Sequence, residues 1–409
     1  MKRFGSFLKE EQNVHMEHLE DLVFNEGVDG TRKAINFLRD LRDMLAGHST
    51  QKVTATVKWD GAPAVFAGID PRDGKFFVAK KGVFNKDPKV YKTPRDVDAD
   101  TQGDLAVKLK AALQEFKKLG IKSGVYQGDL MFTQQDLKTE MIDGQTYTTF
   151  HPNTIVYAVP YASDLAKRIR AAKVGVVWHT TYTGPTFESM HASFGQSIVS
   201  KMQHSPSVWM DDATYHDYSG TATFTAAETK QVTDMLAVIG SLFNKTSSDV
   251  LNTISLDEEL KILIKTFNNS KVRQGVQIDP TTHAQELFQW IYNKMQKDID
   301  SKKTDKAKQA QEEKRKKILA FFANHSTEQI SNVFRLSVML AEAKLLIIAK
   351  MNQAGHISTF VKTPNGFKVT GVEGFVAIDH LRGGAVKIVD RMEFSKNNFS
   401  PEIVKGWQR

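Results

Sequence analysis

The chain has 409 residues, of which 41% are hydrophobic and 25% are charged. This usage is typical of a globular protein, and the length allows two or three domains of about 100–200 residues each. The sequence contains no cysteine, which excludes disulfides, thiolate zinc sites and cysteine nucleophiles. Lysine and arginine outnumber aspartate and glutamate by 55 to 47, and the net charge of +8 permits a polyanionic partner without requiring one.

The sequence also argues against a membrane protein. It has no run of 18 apolar residues, and its first ten residues become charged before the apolar core of a signal peptide could form. We therefore expect a soluble, cytoplasmic monomer that does not contact a membrane.

The N-terminal segment, residues 1–50, is predicted to be helical. Apolar residues recur at spacings of three and four from Thr31 to Leu45, as they do on one face of a helix. Gly27 and Gly30 are predicted to separate this helix from an earlier one.

From residue 51 the apolar residues alternate with a period of two, which indicates β-strands. Val53–Lys58 is predicted to be a strand, Asp60-Gly61 a hairpin turn and Ala62–Gly68 the return strand. A helix near Asp104–Leu119 and several further strands follow. The pattern predicts a mixed α+β unit with an antiparallel sheet over residues 51–186.

Residues 187–354 are predicted to be an all-α insertion. Capping-box patterns predict helix starts at Thr225, Ser255 and Ser326. Between the last two, one long polar helix is expected over 282–323, and its section Lys294–Lys317 has ten Lys or Arg against five Asp or Glu. A solvated helix face, a helix that bridges two lobes and a phosphate-binding stripe each explain this charge.

Residues 355–409 are predicted to complete the sheet domain. The alternation indicates strands over Gly366–Val369, Gly371–Leu381 and Ala385–Phe394. Arg382-Gly383-Gly384 is predicted to be the hairpin turn between the last two strands.

The stretch Lys58-Trp59-Asp60-Gly61 places a lysine at the rim of a predicted sheet beside a carboxylate. It resembles motif I of the covalent nucleotidyltransferases, the superfamily of ATP-dependent DNA ligases, RNA ligases and mRNA capping enzymes. The resemblance implies that Lys58 takes up AMP from ATP as a phosphoramide, with Asp60 and Gly61 completing the motif. The structural alternative for this stretch is a hairpin with a surface lysine.

Four further stretches resemble family motifs in the family's order. Gly124–Phe132 resembles motif III and implies that Asp129 lies near the ribose and metal. Val176–Tyr182 resembles motif IIIa, in which Trp178 would pack against the base, and Thr154–Pro160 with Tyr157 is the alternative strand. The remaining two matches, motifs IV and V, lie near the end of the chain at Gly371–Val376 and Ala385–Arg391.

These last two matches supply a second carboxylate and a second lysine. Glu373 would be the metal carboxylate of motif IV, and Lys387 would bind phosphate in motif V. Phe76–Gly82 occupies the place of motif Ia, so Lys80 and Lys81 are expected to bind the phosphates. Asp129 and Glu373 carry hard oxygen ligands, which suit Mg²⁺ or Mn²⁺.

The sequence departs from the family pattern at three places. Pro63 stands where DNA ligases usually have arginine, and Val389 fills the second lysine position of motif V, which leaves Arg391 as a substitute. Only 18 residues follow Arg391, so we expect no C-terminal OB domain. This argues against capping and favours the compact ligases of phages and viruses, which act in the host cytoplasm.

The resemblance implies an α+β fold, an antiparallel adenylation domain of the ATP-grasp-like ligase type with N-terminal helices and a helical insertion. The implied function is an ATP-dependent polynucleotide ligase that seals 5′-phosphate and 3′-hydroxyl ends in a nicked duplex, DNA being favoured over RNA. The alternatives are an RNA-repair ligase and a binding or structural protein that kept the fold but lost turnover. The expected contacts to the nucleic-acid backbone are Lys314, Arg315, Lys316 and Lys317.

Overall fold

The computed structural model describes residues 16–48, 53–194, 197–217, 221–355, 357–380 and 384–407. In these residues the chain is a mixed α+β structure whose strands form three sheets. The α+β class and the antiparallel sheets predicted from the sequence are confirmed, although one strand pair is parallel. Residues 1–15 of the predicted N-terminal helical segment and Arg382-Gly383 of the predicted turn lie outside the described residues. None of the described helices is both long and apolar enough to cross a membrane.

The described strands are β1 (Val53–Lys58), β2 (Ala64–Ile69), β3 (Phe76–Ala79), β4 (Val125–Thr133), β5 (Lys138–Ile142), β6 (Gln145–Phe150), β7 (Ile155–Pro160), β8 (Val174–Thr183), β9 (His191–Phe194), β10 (Val208–Asp212), β11 (Ser358–Thr363), β12 (Gly366–Val369), β13 (Gly374–Asp379) and β14 (Ala385–Ile388). The described α-helices are α1 (Leu22–Asn25), α2 (Gly27–Leu45), α3 (Pro94–Asp100), α4 (Gly103–Phe116), α5 (Asp164–Ala171), α6 (Ala226–Lys245), α7 (Ser248–Leu256), α8 (Glu258–Arg273), α9 (His283–Asp300), α10 (Asp305–Asn324), α11 (Thr327–Met351) and α12 (Arg391–Phe399).

The smallest sheet has the strand order β1-β13-β14 and is antiparallel. Val376 lies opposite Thr56 on one side and opposite Lys387 on the other. Because directly paired residues share a face and successive residues alternate, Lys58 and Lys387 lie on the same face of this sheet. The apolar side chains of the other face, including Ala55 and Phe375, join the core of the helices.

The largest sheet has the order β10-β8-β4-β2-β3, with β9 on β8. One of its faces packs through Leu130 and Trp178 against Leu109 and Phe116 of α4. A third sheet has the order β12-β11-β7-β6-β5. This third sheet therefore combines strands that precede the helical region in the sequence with strands that follow it, because β11 from the C-terminal part pairs with β7.

The predicted hairpin at Asp60-Gly61 is wrong. β1 pairs with β13, whereas β2 pairs with β3 and β4, so the chain crosses from one sheet to another at this turn. Strand alternation fixes which side chains share a face, but it carries no information about which strand becomes the partner.

The N-terminal helices and the helical insertion form one unit. Side chains of α2 and of α6 to α11 share a single apolar core with the three-stranded sheet. Strands β9 and β10 lie beyond the predicted boundary at residue 186, so the helical part begins later, with α6. Gly27 and Gly30 lie inside α2 rather than before it, and a Cβ at Gly30 would be 2.0 Å from the Leu22 carbonyl oxygen.

Two of the three predicted capping boxes are present, at Thr225 and Ser326. The third is wrong, because α7 runs through Ser255 and the Asp257 carboxylate caps α8 instead. The predicted long helix over 282–323 is divided into α9 and α10, which form a hairpin. The strand predicted to reach Phe394 ends at Ile388, and Asp390 caps α12 by accepting from the backbone N–H groups of Met392 and Glu393.

Candidate active site

Lys58 lies at the end of β1, opposite Gly374, the first residue of β13. Its ammonium forms an ion pair with Glu373, which immediately precedes β13. The Lys58 side chain is 33% exposed and the Glu373 side chain is 10% exposed. A lysine amine and a nearly buried carboxylate therefore meet at a position that solvent can reach.

Asp129 approaches the same place from β4. A Cβ at Gly61 would lie 2.5 Å from the Asp129 Cβ, so only glycine lets the turn after Lys58 pass this close to the strand. The register of β4 against β8 shifts between Gln127 and Gly128, and His179 is the extra residue of that bulge. The His179 Nε2 is 3.8 Å from the Asp129 Oδ2.

The charges of this cluster shift one another's pKa values. Burial raises the pKa of Asp129 to about 7; the Lys58 ammonium opposes the shift, and the carboxylate of Glu373 adds to it. Burial also raises the pKa of Glu373, again against the effect of Lys58. Burial and the Lys58 charge lower the pKa of His179 to about 4, so this imidazole is neutral at pH 7.

Lys387 adds a second cation to the sheet face that carries Lys58. Burial lowers the pKa of Lys387, and the charge of Lys58 lowers it further. The backbone N–H of Lys387 donates to the Glu17 carbonyl at 2.8 Å, so the segment before α1 fixes the edge strand on which Lys387 lies. An anion bound between the two ammonium groups would be attracted by both.

Asp60 lies in the turn after Lys58, as predicted, and is held there by hydrogen bonds. Its carboxylate is buried and accepts from the Asn153 side-chain amide at 2.6 Å and from the backbone N–H groups of Thr154 and Ile155. The Asp60 backbone N–H donates to the Tyr157 hydroxyl at 2.7 Å. These bonds tie the turn after Lys58 to β7 and give Asp60 a structural role, and the catalytic role predicted for it in motif I stays a prediction.

Three residues predicted to contact the nucleotide differ in their surroundings, and the contacts predicted for Lys80 and Lys81 stay predictions. Trp178 is 1% exposed and packs on Phe116 of α4, with the ring centroids 5.3 Å apart. Lys80 forms an ion pair with Asp100 at 3.0 Å, and Lys81 is exposed on the surface. The prediction for Trp178 is wrong because the residue lies opposite Gly128 on the α4 face of the sheet, whereas His179 lies beside Asp129.

Arg391 does not replace the second motif V lysine either. It begins α12 and forms a buried ion pair with Asp21 at 2.8 Å, with Glu20 at 3.6 Å. Glu20 also pairs with Lys344 of α11 at 2.7 Å. These ion pairs connect the first described residues, the helical unit and α12. The Arg391 guanidinium is therefore already paired with carboxylates.

Most of the cations predicted to bind nucleic acid have partners within the protein. The observed pairs are Lys314 with Glu259 at 2.5 Å, Lys317 with Asp257 at 3.7 Å, and Arg315 over the ring of Tyr292 at 5.2 Å. Lys316 is exposed. Two of the four predicted cations, Lys314 and Lys317, are therefore paired with carboxylates at the start of α8.

A divalent metal would have to use the two carboxylates beside Lys58. The described part of the chain contains no cluster of three or more His, Cys, Asp or Glu residues that could hold a metal by itself. Mg²⁺ is commonly held by one or two carboxylates while phosphates and water fill its other positions. Asp129 and Glu373 fit that mode, in which the substrate supplies the remaining oxygens.

Sequence reasoning missed His179. The signal was present, because this histidine follows directly on the aromatic residue of the stretch Val176–Tyr182, and strand alternation puts the two on opposite faces. The bulge in β8 decides which of them accompanies Asp129, and a bulge is not visible in the residue pattern.

Comparison with known proteins places the chain in a family. No curated protein and no solved structure matches it significantly. The model of a family of unknown function, DUF6267, matches residues 13–403. Because this match spans nearly the whole sequence, including every residue of the cluster around Lys58, the chain belongs to the family of unknown function DUF6267.

Proposed function

We propose that the protein is an ATP-dependent polynucleotide ligase that carries AMP on Lys58. One observation supports this most strongly: Asp129, Glu373 and Lys387 come from distant parts of the chain and each lies within electrostatic reach of Lys58. They are the four residues whose surroundings resemble motifs I, III, IV and V. A surface lysine in an ordinary hairpin would not require such a set.

The cluster suits attack by an amine on phosphorus. A Lys58 ammonium has no lone pair, so it must first lose a proton, which the paired Glu373 carboxylate can pass on to solvent. The amine then forms a P–N bond to the α-phosphorus of ATP while the bond to pyrophosphate breaks. Lys387 faces the same space and would offset the charge that develops on the phosphate oxygens.

Mg²⁺, when bound, would polarise the phosphate and offset its charge. Asp129 and Glu373 would hold it, together with oxygens of the substrate. His179 is neutral and adjacent to Asp129, so it can orient this carboxylate without competing for its negative charge.

The resemblance supplies the later steps. AMP would pass from Lys58 to a 5′-phosphate end, and a 3′-hydroxyl would displace it to seal a nick. We favour DNA over RNA because Asp60 follows Lys-x as it does in DNA ligases, and we place the protein in the cytoplasm as a monomer.

The test is incubation of the full chain with ATP and Mg²⁺ in the absence of nucleic acid, followed by intact-mass measurement. We expect the mass to increase by one AMP, added pyrophosphate to reverse the increase, and GTP to label less than ATP. If neither Mg²⁺ nor Mn²⁺ supports an adduct, the protein is instead a binding or structural protein with the same arrangement of residues.

The pH dependence of adduct formation should report on Asp129. Because its pKa is about 7, the protonated form dominates below neutral pH and cannot bind a metal. We expect the rate at low Mg²⁺ to fall about tenfold per unit below pH 7, and the midpoint to move to lower pH as Mg²⁺ competes with the proton. The Asp129→Asn variant, which keeps the shape, should lose at least about 100-fold in rate. If the midpoint of the pH dependence does not change with Mg²⁺ concentration, Asp129 is not a metal ligand.

A further inference from the structure

The hairpin of α9 and α10 packs on the helical unit along α9 and through the second half of α10. Ile318 and Phe321, in the second half of α10, belong to the shared core. Of residues 303–310, which contain the turn into α10 and its first half, only Ala307 is not exposed. The turn and the beginning of α10 therefore extend into solvent.

This exposed end of the hairpin, which we call the hairpin tip, is rich in lysine. The residues from Lys302 to Lys308 include four lysines and a single acidic residue, Asp305, and the end of α9 adds Lys297 together with Asp298 and Asp300. Asp305 stands in the first turn of α10, where the helix dipole favours a negative charge.

The tip lysines differ from most of the other lysines of the hairpin, Lys316 excepted, in having no acidic partner among the described residues. No carboxylate of the described residues lies within ion-pair distance of Lys303, Lys306 or Lys308, whereas Lys294 pairs with Asp298 at 3.6 Å. Lys314 and Lys317 are also paired, with side chains of α8. Apart from Lys316, the charge that remains available to an external anion is therefore at the tip, which the sequence indicated only as part of the section Lys294–Lys317.

We propose that the hairpin tip binds the phosphate backbone of a polynucleotide, through Lys297, Lys302, Lys303, Lys306 and Lys308. That this polynucleotide is the substrate of ligation rests on the proposed function. From residue 301 to 310 the chain offers no large apolar or aromatic side chain. Protein interfaces rely on such anchors, and base recognition needs stacking or groups that read base edges, so the tip is suited to phosphates alone.

Binding through these lysines should depend strongly on salt and little on sequence. Each lysine that neutralises a phosphate releases counterions, which contributes about 0.9 to the slope of log K against log salt on duplex DNA. Three such contacts account for a slope of about 3. The lysines paired with carboxylates contribute less, because a phosphate must first displace their partners.

The experiment compares two triple variants of the full chain with equal charge change. The tip variant is Lys303→Gln, Lys306→Gln and Lys308→Gln, and the control is Lys294→Gln, Lys314→Gln and Lys317→Gln. Fluorescence anisotropy with a nicked DNA duplex is measured at several salt concentrations. For the tip variant we expect the salt slope to fall by 2 to 3 and the affinity at low salt to drop about 10- to 100-fold. For the control we expect a slope change below about 1.

Formation of lysine-AMP on the same variants separates this inference from the proposed function. The tip variant should form the adduct at the wild-type rate, since ATP does not need the hairpin. If the wild-type protein forms no adduct yet the tip variant still loses DNA binding, the ligase function fails and the tip assignment stands. A tip variant with an unchanged salt slope, or a control that loses as much, would overturn the assignment. Tip-dependent binding to vesicles of anionic phospholipid without binding to DNA would overturn it as well.

Discussion

Replacing Lys58 by alanine is expected to abolish covalent labelling by ATP, a loss of at least about 10³-fold. The amine of Lys58 is the nucleophile in the proposed step, and it forms the ion pair with Glu373. The measurement is the fraction of protein that gains one AMP by intact mass, followed by peptide mapping of the modified residue.

Two further variants test whether the labelling depends on the amine of Lys58. Lys58→Arg keeps a positive charge beside Glu373 but supplies a guanidinium that stays protonated, so it should also fail to label. Lys122→Ala removes an exposed lysine from the same part of the chain and should label normally. Labelling of the Lys58→Ala protein at the wild-type level, or mapping of AMP to Lys387, would show that motif I was assigned to the wrong residue.

Replacing Lys344 by alanine is expected to lower the free energy of unfolding by about 3–5 kcal/mol. Lys344 and Glu20 are both buried, with side-chain exposures of 2% and 6%, and their charged groups are 2.7 Å apart. Without the ammonium, Glu20 keeps only the more distant Arg391, which is already paired with Asp21. The negative charge of the buried Glu20 carboxylate is then no longer offset by an adjacent cation. The measurement is urea unfolding followed by circular dichroism.

Lys350 on the same helix provides a matched control. It is also buried, but its partner Glu228 has a side chain that is 38% exposed, so water can compensate for the lost pair. Lys350→Ala should therefore cost clearly less, about 1 kcal/mol. The double variant Glu20→Leu with Lys344→Met should recover most of the loss, since it leaves no single buried charge. A loss for Lys344→Ala no larger than that for Lys350→Ala would contradict the role given to this pair.

The same pair predicts the direction of the pH effect. Burial alone would raise the pKa of Glu20, but the Lys344 ammonium holds it well below the ordinary value of 4.5. A lowered carboxylate pKa contributes stability above the ordinary value, and that contribution is lost as the pH falls toward the folded-state value. The difference between wild type and Lys344→Ala should therefore be largest near neutral pH and shrink below about pH 4.5.

The sequence by itself determined the local features of this protein. Alternation in Val53–Lys58 fixed that Lys58 and Thr56 share a face, and the capping boxes at Thr225 and Ser326 fixed two helix starts. These features depend on residues within a few positions of one another, so the residue pattern contains all the information they need.

Only the tertiary structure decided which distant groups meet. β1 pairs with β13 more than 300 residues away and not with the adjacent β2, and this pairing brings Glu373 to Lys58. The bulge in β8 places His179 beside Asp129 and leaves Trp178 in the core. Likewise, Glu259 of α8 pairs with Lys314 of α10, whereas Lys303, Lys306 and Lys308 of the hairpin tip have no ion-pair partner among the described residues. Strand pairing, bulges and helix packing are set by the burial of apolar surface across the whole chain, and a local pattern does not specify them.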